Sequence, residues 1–121
     1  VYIEDDMIYA KNQKQLDKWY RDECLRVFNE RIDECLKLFD DIPMFSLKIR
    51  CMKTRWGVNN VTRRIITLNS ELLKKAPTLI DYVIIHELCH FYEANHSSRF
   101  WKQVELRYPK YKEARKRMKV E

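Results

Sequence analysis

Residues 77–90 read Pro-Thr-Leu-Ile-Asp-Tyr-Val-Ile-Ile-His-Glu-Leu-Cys-His. Leu79, Ile80, Tyr82, Val83, Ile84, Ile85, Leu88 and Cys89 leave almost no polar face on a helix spanning them. A helix apolar all round has to be buried, with other elements packed against every side. It falls short of the roughly 18 apolar residues that suggest a membrane span. Thr78 is placed to cap it, and Asp81, three residues on, completes a capping box. The remaining polar residues of this helix, His86, Glu87 and His90, lie where a polar group is costly unless something compensates it.

The rest of the chain supplies the wrapping. From Gln13 to Phe39, apolar residues from Leu16 and Trp19 through Phe28 and Ile32 to Leu36 recur at steps of three and four, which predicts a long amphipathic helix. Asp40, Asp41 and Pro43 stop it. Phe45, Leu47, Ile49 and Cys51 then alternate with Ser46, Lys48 and Arg50 as a half-buried strand does. A second β-rich run, residues 64–68, follows a polar turn near Asn59-Asn60, and the two runs are expected to pair as an antiparallel hairpin. Gly57, the single glycine, is expected either to take a positive φ or to admit a close approach of backbone or ligand. A helix from about Ser98 carries Phe100, Trp101, Val104 and Tyr108. Pro109 restarts a last, basic helix with Tyr111, Ala114 and Met118. A short strand is expected at Met7–Tyr9. The sum is an α+β chain, residues 1–121 as one domain, with a small antiparallel sheet, a central helix and C-terminal helices.

All three histidines fall within eleven residues, His86 to His96. His86 and His90, four apart, share one helix face and can reach one tetrahedral zinc with nitrogens about 2.0–2.1 Å from it. Glu87 follows the first histidine on an adjoining edge, near enough to a metal-bound water to serve as general base without ligating. This is the H-E-x-x-H arrangement of zinc hydrolases. On a continuing helix His96 would point elsewhere. If the helix ends near Ala94, with Asn95 left-handed as its cap, the chain turns back and His96 becomes the third ligand. Glu93 occupies the position of the glycine in the longer zinc motif with this histidine spacing. Arg55, Tyr92 and Arg99 are unranked candidates for an additional electrophile. Arg55 is also placed to pair Glu93 or Asp81, and Trp56 reads as a packing residue beside the metal helix.

An apolar fraction of 45% suits a packed fold, and no basic-then-apolar leader opens the sequence, so a cytoplasmic protein with no membrane partner is expected. Cys24, Cys35, Cys51 and Cys89 form no C-x-x-C pair and read as free buried thiols. Charge is uneven: residues 1–45 hold 7 Lys and Arg against 11 Asp and Glu, and residues 97–121 hold 9 against 3. The basic second half is either a solvated helix face or a surface for an anionic partner such as nucleic acid.

Several segments together resemble one family: Trp19-Tyr20-Arg21, Lys53-Thr54-Arg55-Trp56-Gly57, Ile66-Thr67-Leu68-Asn69, the run from Asp81 to His90, and that from Asn95 to Trp101. Over about residues 13–119 the chain is similar to the YgjP-like metallopeptidase-type domains, described as metal-dependent hydrolases. The resemblance implies a zincin-like fold akin to the SprT-like proteases. It places Zn2+ on His86, His90 and His96, the acid/base role on Glu87, and a peptide or protein substrate in the cleft. Val58-Asn59 stand where the family often has Ser-Cys. Nucleotide phosphoanhydride hydrolysis and a non-catalytic zinc module that binds nucleic acid or a protein are the alternatives.

Overall fold

A computed structural model describes residues 2–4, 7–9 and 13–118, with side chains from Gln15 to Met118. Strands β1 (Tyr2–Glu4) and β2 (Met7–Tyr9) pair antiparallel, so the strand expected at residues 7–9 is present. Helix α1 spans Gln13–Leu36. It buries Cys24, Phe28, Ile32 and Cys35 at helical steps, and a tightened turn beyond its end still delivers Phe39 to the core. No helix among the described residues is long and apolar enough to cross a membrane.

Strands β3 (Ser46–Arg50), β4 (Gly57–Asn60) and β5 (Ile65–Asn69) form a sheet in the order β3-β5-β4. The sheet is mixed, which corrects the antiparallel hairpin expected from the sequence. β3 runs parallel to β5, from Ser46 beside Ile65 to Arg50 beside Asn69. The segment read as a polar turn is strand β4, and the hairpin is β4–β5, antiparallel with Gly57 opposite Leu68. Its turn holds Arg64 at φ 56°, and Asn60 Oδ1 accepts from the Arg63 amide at 3.1 Å.

Buried Asn69 fastens the crossover from β3 to β4. Its Nδ2 donates to the carbonyls of Met52 and Arg55, both at 2.8 Å, and its amide donates to Trp56 O at 2.9 Å. Its Oδ1 accepts from Glu71 N at 3.0 Å, capping a 3-10 turn over Ser70–Lys74. One buried amide thus satisfies polar backbone that would otherwise be orphaned where the chain passes over the end of β5.

Helix α2 (Pro77–Cys89) lies at the centre, as its composition requires, with nine of its residues buried. α1, α3 (Ser98–Arg107), α4 (Tyr111–Met118) and the sheet all pack on it. The expected capping box is not formed. Ala76 occupies the cap position without a side-chain bond, and Pro77 starts the helix with a φ already suited to it. Asp81 instead meets Arg31 of α1 in a two-pronged ion pair, Nε–Oδ1 and Nη2–Oδ2 both 2.7 Å. The pair joins elements 50 residues apart in sequence, a partner no local rule identifies.

The four cysteines are free. Burial pushes the thiols of Cys24 and Cys89 up to about 11 and that of Cys35 up to about 12, so they act as small apolar side chains. Cys51 departs from the expectation: it lies just past β3 and is exposed.

Candidate metal centre

Helix α2 presents His86 and His90 one turn apart, with ring centroids 5.1 Å from each other. The helix ends at Cys89, earlier than expected. Hydrogen bonding then shifts to three-residue spacing: His90 N to Glu87 O at 3.2 Å, Phe91 N to Leu88 O at 3.0 Å, and Tyr92 N to Cys89 O at 3.0 Å. This tightened turn swings the chain back. Asn95 is not left-handed, since Arg64 alone has positive φ among the described non-glycine residues. His96 nevertheless arrives, and Ser97 caps α3 by accepting from Phe100 N at 3.4 Å.

The three imidazoles converge. His86 Nε2 and His96 Nε2 are 3.2 Å apart, and one nitrogen from each of His86, His90 and His96 lies within 4.8 Å of the others. Nitrogens at two vertices of a tetrahedron, each about 2.0–2.1 Å from the centre, stand about 3.3–3.4 Å apart, close to the His86–His96 separation, and the three side chains together could hold a metal ion. The ring orientations suit the same purpose. His90 Nδ1 donates to Glu93 O at 3.1 Å, which leaves the Nε2 lone pair outward. His90 lies flat on Phe100, with centroids 4.4 Å apart. His96 stacks on Trp101, Trp101 on Tyr111, and the Arg115 guanidinium sits 4.6 Å over the Trp101 ring. Burial, then the charges of the other two rings, push His86 down to about 3, and burial also lowers His90. Imidazoles held neutral keep the lone pairs a metal requires.

Glu87 is buried, 6% exposed, on the same cleft. Burial pushes its carboxyl up to about 8, against the opposing charge of Arg55. It packs on Gly57 of β4: a Cβ there would lie 3.0 Å from Glu87 Cγ and 3.1 Å from its Oε2. Gly57 has no positive φ, so of the two expectations for it the close approach holds, and what approaches is a side chain of the central helix.

These residues line an open cleft of about 1170 Å³ between β4, α2 and α4. Of the three candidate electrophiles only Arg55 lies in its wall. Tyr92 is turned to Asp41, donating at 2.8 Å, and stacks on Phe39. Arg55 pairs neither Glu93 nor Asp81. Trp56 packs partly buried, its Nε1 donating to Met118 O at 2.6 Å, and one side lines the cleft.

Sequence reasoning missed two contributors. Asn59 Nδ2 donates to Glu87 O at 2.7 Å, so β4 supplies a bond at the end of the metal helix, where Phe91 N has gone to Leu88 O instead. Lys112, Arg115 and Lys116 of α4, read from sequence as a solvated face or a nucleic-acid surface, stand in the cleft wall. No local pattern marks either role, because both depend on elements far apart in the chain.

A search of curated proteins gave no match to this chain. Solved structures that share its fold include two metallopeptidase zymogens. The metallopeptidase zymogen of Pyrococcus abyssi abylysin is 25% identical, with TM-score 0.69, over 75% of this chain and 90% of that one. The metallopeptidase zymogen of Methanocaldococcus jannaschii jannalysin is 21% identical, with TM-score 0.65, over 75% and 92%. The profile of the YgjP-like, metallopeptidase domain matches residues 2–121, nearly the whole length. The match over nearly the whole length, on a chain whose three histidines converge on the cleft that holds a buried glutamate, shows that it belongs to the YgjP-like metallopeptidase family.

Proposed function

We propose that residues 1–121 work as one zinc-dependent peptidase domain, with His86, His90 and His96 as the metal ligands and Glu87 as general base. A zinc ion held by three neutral imidazoles supplies Lewis acidity at an open coordination position. Glu87 takes a proton from the attacking water and delivers it to the leaving nitrogen. Burial raises the proton affinity of this carboxyl in the metal-free chain and the charge of a bound ion would oppose that rise, a balance that suits a group that takes up a proton and gives it back. Gly57 and the burial of Glu87 keep the carboxylate in one place. Arg55, in the same wall, is positioned to steady a developing negative charge on the carbonyl oxygen. β4 pairs with β5 on one side only and lines the cleft along the other, so an extended peptide adds there as a further strand.

The observation that carries this reading is the meeting of three ligand nitrogens within 4.8 Å, with Glu87 on the same cleft. Among the described residues no fourth His, Cys, Asp or Glu joins that group, which favours catalysis over a purely structural ion. The test is zinc content and peptide turnover for native protein, Glu87→Gln and His96→Ala. Glu87→Gln keeps one zinc per chain and loses turnover by about 10²–10⁴. His96→Ala loses zinc. A Glu87→Gln protein as active as the native one, or a His96→Ala protein binding zinc equally well, would refute the assignment.

A further inference from the structure

We infer that the cleft selects acidic peptides, through a cationic wall made by Arg55 and by Lys112, Arg115 and Lys116 of α4. The inference rests on the peptidase reading for what happens to the peptide, but on the wall itself for which peptide enters.

Lys112, Arg115 and Lys116 are spaced by three and four residues, so they share one face of α4, and that face is the one in the cleft. Arg55 stands in the same wall on the segment leading into β4. Against these four cations the wall contains one acidic residue, Glu87, which is buried against Gly57 and is needed for the chemistry. Among the described residues no ion pair joins Arg55, Lys112, Arg115 or Lys116 to a carboxylate; the ion pairs lie on α1, on the 3-10 turn and between α1 and α2. The three α4 residues and Arg55 are all exposed, so their charge is available to a ligand.

The wall is also held in place. Ala114 and Met118 of α4 are buried in the core, and the Met118 carbonyl accepts from Trp56 Nε1. Arg115 lies over Trp101, the ring on which His96 stacks, so the positive charge sits next to the ligand cluster. A cleft lined by one sign of charge focuses its field, raises the local concentration of oppositely charged ligands, and penalises like-charged ones. A peptide laid along β4 and carrying Asp or Glu on either side of the cleaved bond brings its carboxylates to this wall. A lysine-rich peptide is repelled.

The test uses three fluorescein-labelled decapeptides with one hydrophobic centre and flanks of Asp/Glu, Asn/Gln or Lys. Binding is read by anisotropy on zinc-loaded Glu87→Gln protein, and cleavage on native protein. The acidic peptide is expected to bind at least about tenfold tighter than its amide twin, the low end of what charge focusing gives, and to weaken steeply with salt. Lys112→Glu combined with Lys116→Glu is expected to erase the preference, since both residues are exposed and their loss leaves the core intact. Lys48→Glu combined with Arg50→Glu, on the sheet edge away from β4, changes net charge by the same amount and is expected to preserve the preference.

Equal binding of acidic and amide peptides overturns the inference. So does an equal loss of preference in Lys48→Glu combined with Arg50→Glu, which reverses the same number of charges on β3, because net charge alone would then explain it. ATP displacing the acidic peptide at concentrations far below the peptide's own Kd overturns the peptide as the ligand. Selective binding without cleavage of any peptide upholds the inference and refutes the peptidase reading; cleavage with no charge preference does the reverse.

Discussion

Replacing Gly57 with alanine puts one methyl group against Glu87, the proposed general base, and the structure gives both the sign and the size of the effect. Gly57 has no positive φ, so alanine fits the backbone, and the stiffer unfolded chain favours it by about 0.4–1 kcal/mol. Against this, the new Cβ lies 3.0 Å from Glu87 Cγ, 3.1 Å from Glu87 Oε2 and 3.2 Å from Val83 Cγ1. Ordinary carbon contacts lie at about 3.5–4.0 Å, so all three atoms must give way. Val83 is on a helix packed from every side and has little room. Overpacking of this kind costs about 1–3 kcal/mol, which leaves a net loss of about 1–2 kcal/mol. At this chain length that lowers Tm by roughly 3–10 °C. Two of the three crowded atoms belong to Glu87, so the carboxylate moves; a misplacement near 1 Å can cost about 10² in kcat/KM. The imidazoles do not touch Gly57, so zinc affinity stays within about twofold. Calorimetry, zinc titration and kcat/KM on the same preparations check the three claims together. With Glu87→Ala in the background, Gly57→Ala loses the part of its destabilisation that comes from Glu87 and keeps the part that comes from Val83. A Gly57→Ala protein as stable and as active as the native one would refute the reasoning.

Three further outcomes follow from the same contacts. Asn59→Ala removes one of two donors to Glu87 O, His90 N being the other, and also an Oδ1 that is buried with no partner, so urea unfolding should register under about 1 kcal/mol; Asn59→Asp, which faces that carbonyl with an acceptor, should cost more. In the metal-free protein Glu87→Gln is stabilising at neutral pH. The folded carboxyl titrates at about 8 against 4.5 unfolded, so the stability it withholds is absent below pH 4.5 and grows as pH rises toward 8, reaching roughly 3 kcal/mol at most by pH 7; thermal melts at pH 4 and pH 7 read the difference, and equal gains at both would contradict it. Trp101→Ala strips the ring on which His96 stacks, and zinc affinity measured by chelator competition should fall about 10–100-fold while the fold, read by circular dichroism, persists.

The elements were legible where periodicity carries the information. The all-apolar pattern of residues 79–89 placed that helix at the centre, and steps of three and four gave α1, α3 and α4 nearly to their observed limits. The alternation of residues 45–51 gave a strand but not its neighbour's direction. Period two encodes which face is buried and is silent on parallel or antiparallel pairing, and the six-residue crossover depends on Asn69, whose role appears only when Met52 and Arg55 are beside it. Asp81 misled for the same reason: three residues after Thr78 it has the spacing of a capping box, but a guanidinium from α1 offers two charge-assisted bonds at 2.7 Å, and those outweigh one neutral cap bond.

The candidate site divides along the same line. Three imidazoles can be brought together by one helix turn and one short reversal, so eleven residues contain nearly all of the geometry, and the reversal needed no left-handed residue because a run of three-residue hydrogen bonds turned the chain instead. The walls are another matter. Gly57 is empty space until Glu87 is seen to fill it, Asn59 is a polar strand residue until the end of α2 is seen to need a donor, and the lysines of α4 are a solvated face until the helix is seen to close the cleft. The meeting of the three imidazoles is local and can be read from spacing. The walls, Val58-Asn59 and α4 among them, are made by elements that meet only in the folded chain, so no spacing along the sequence marks them.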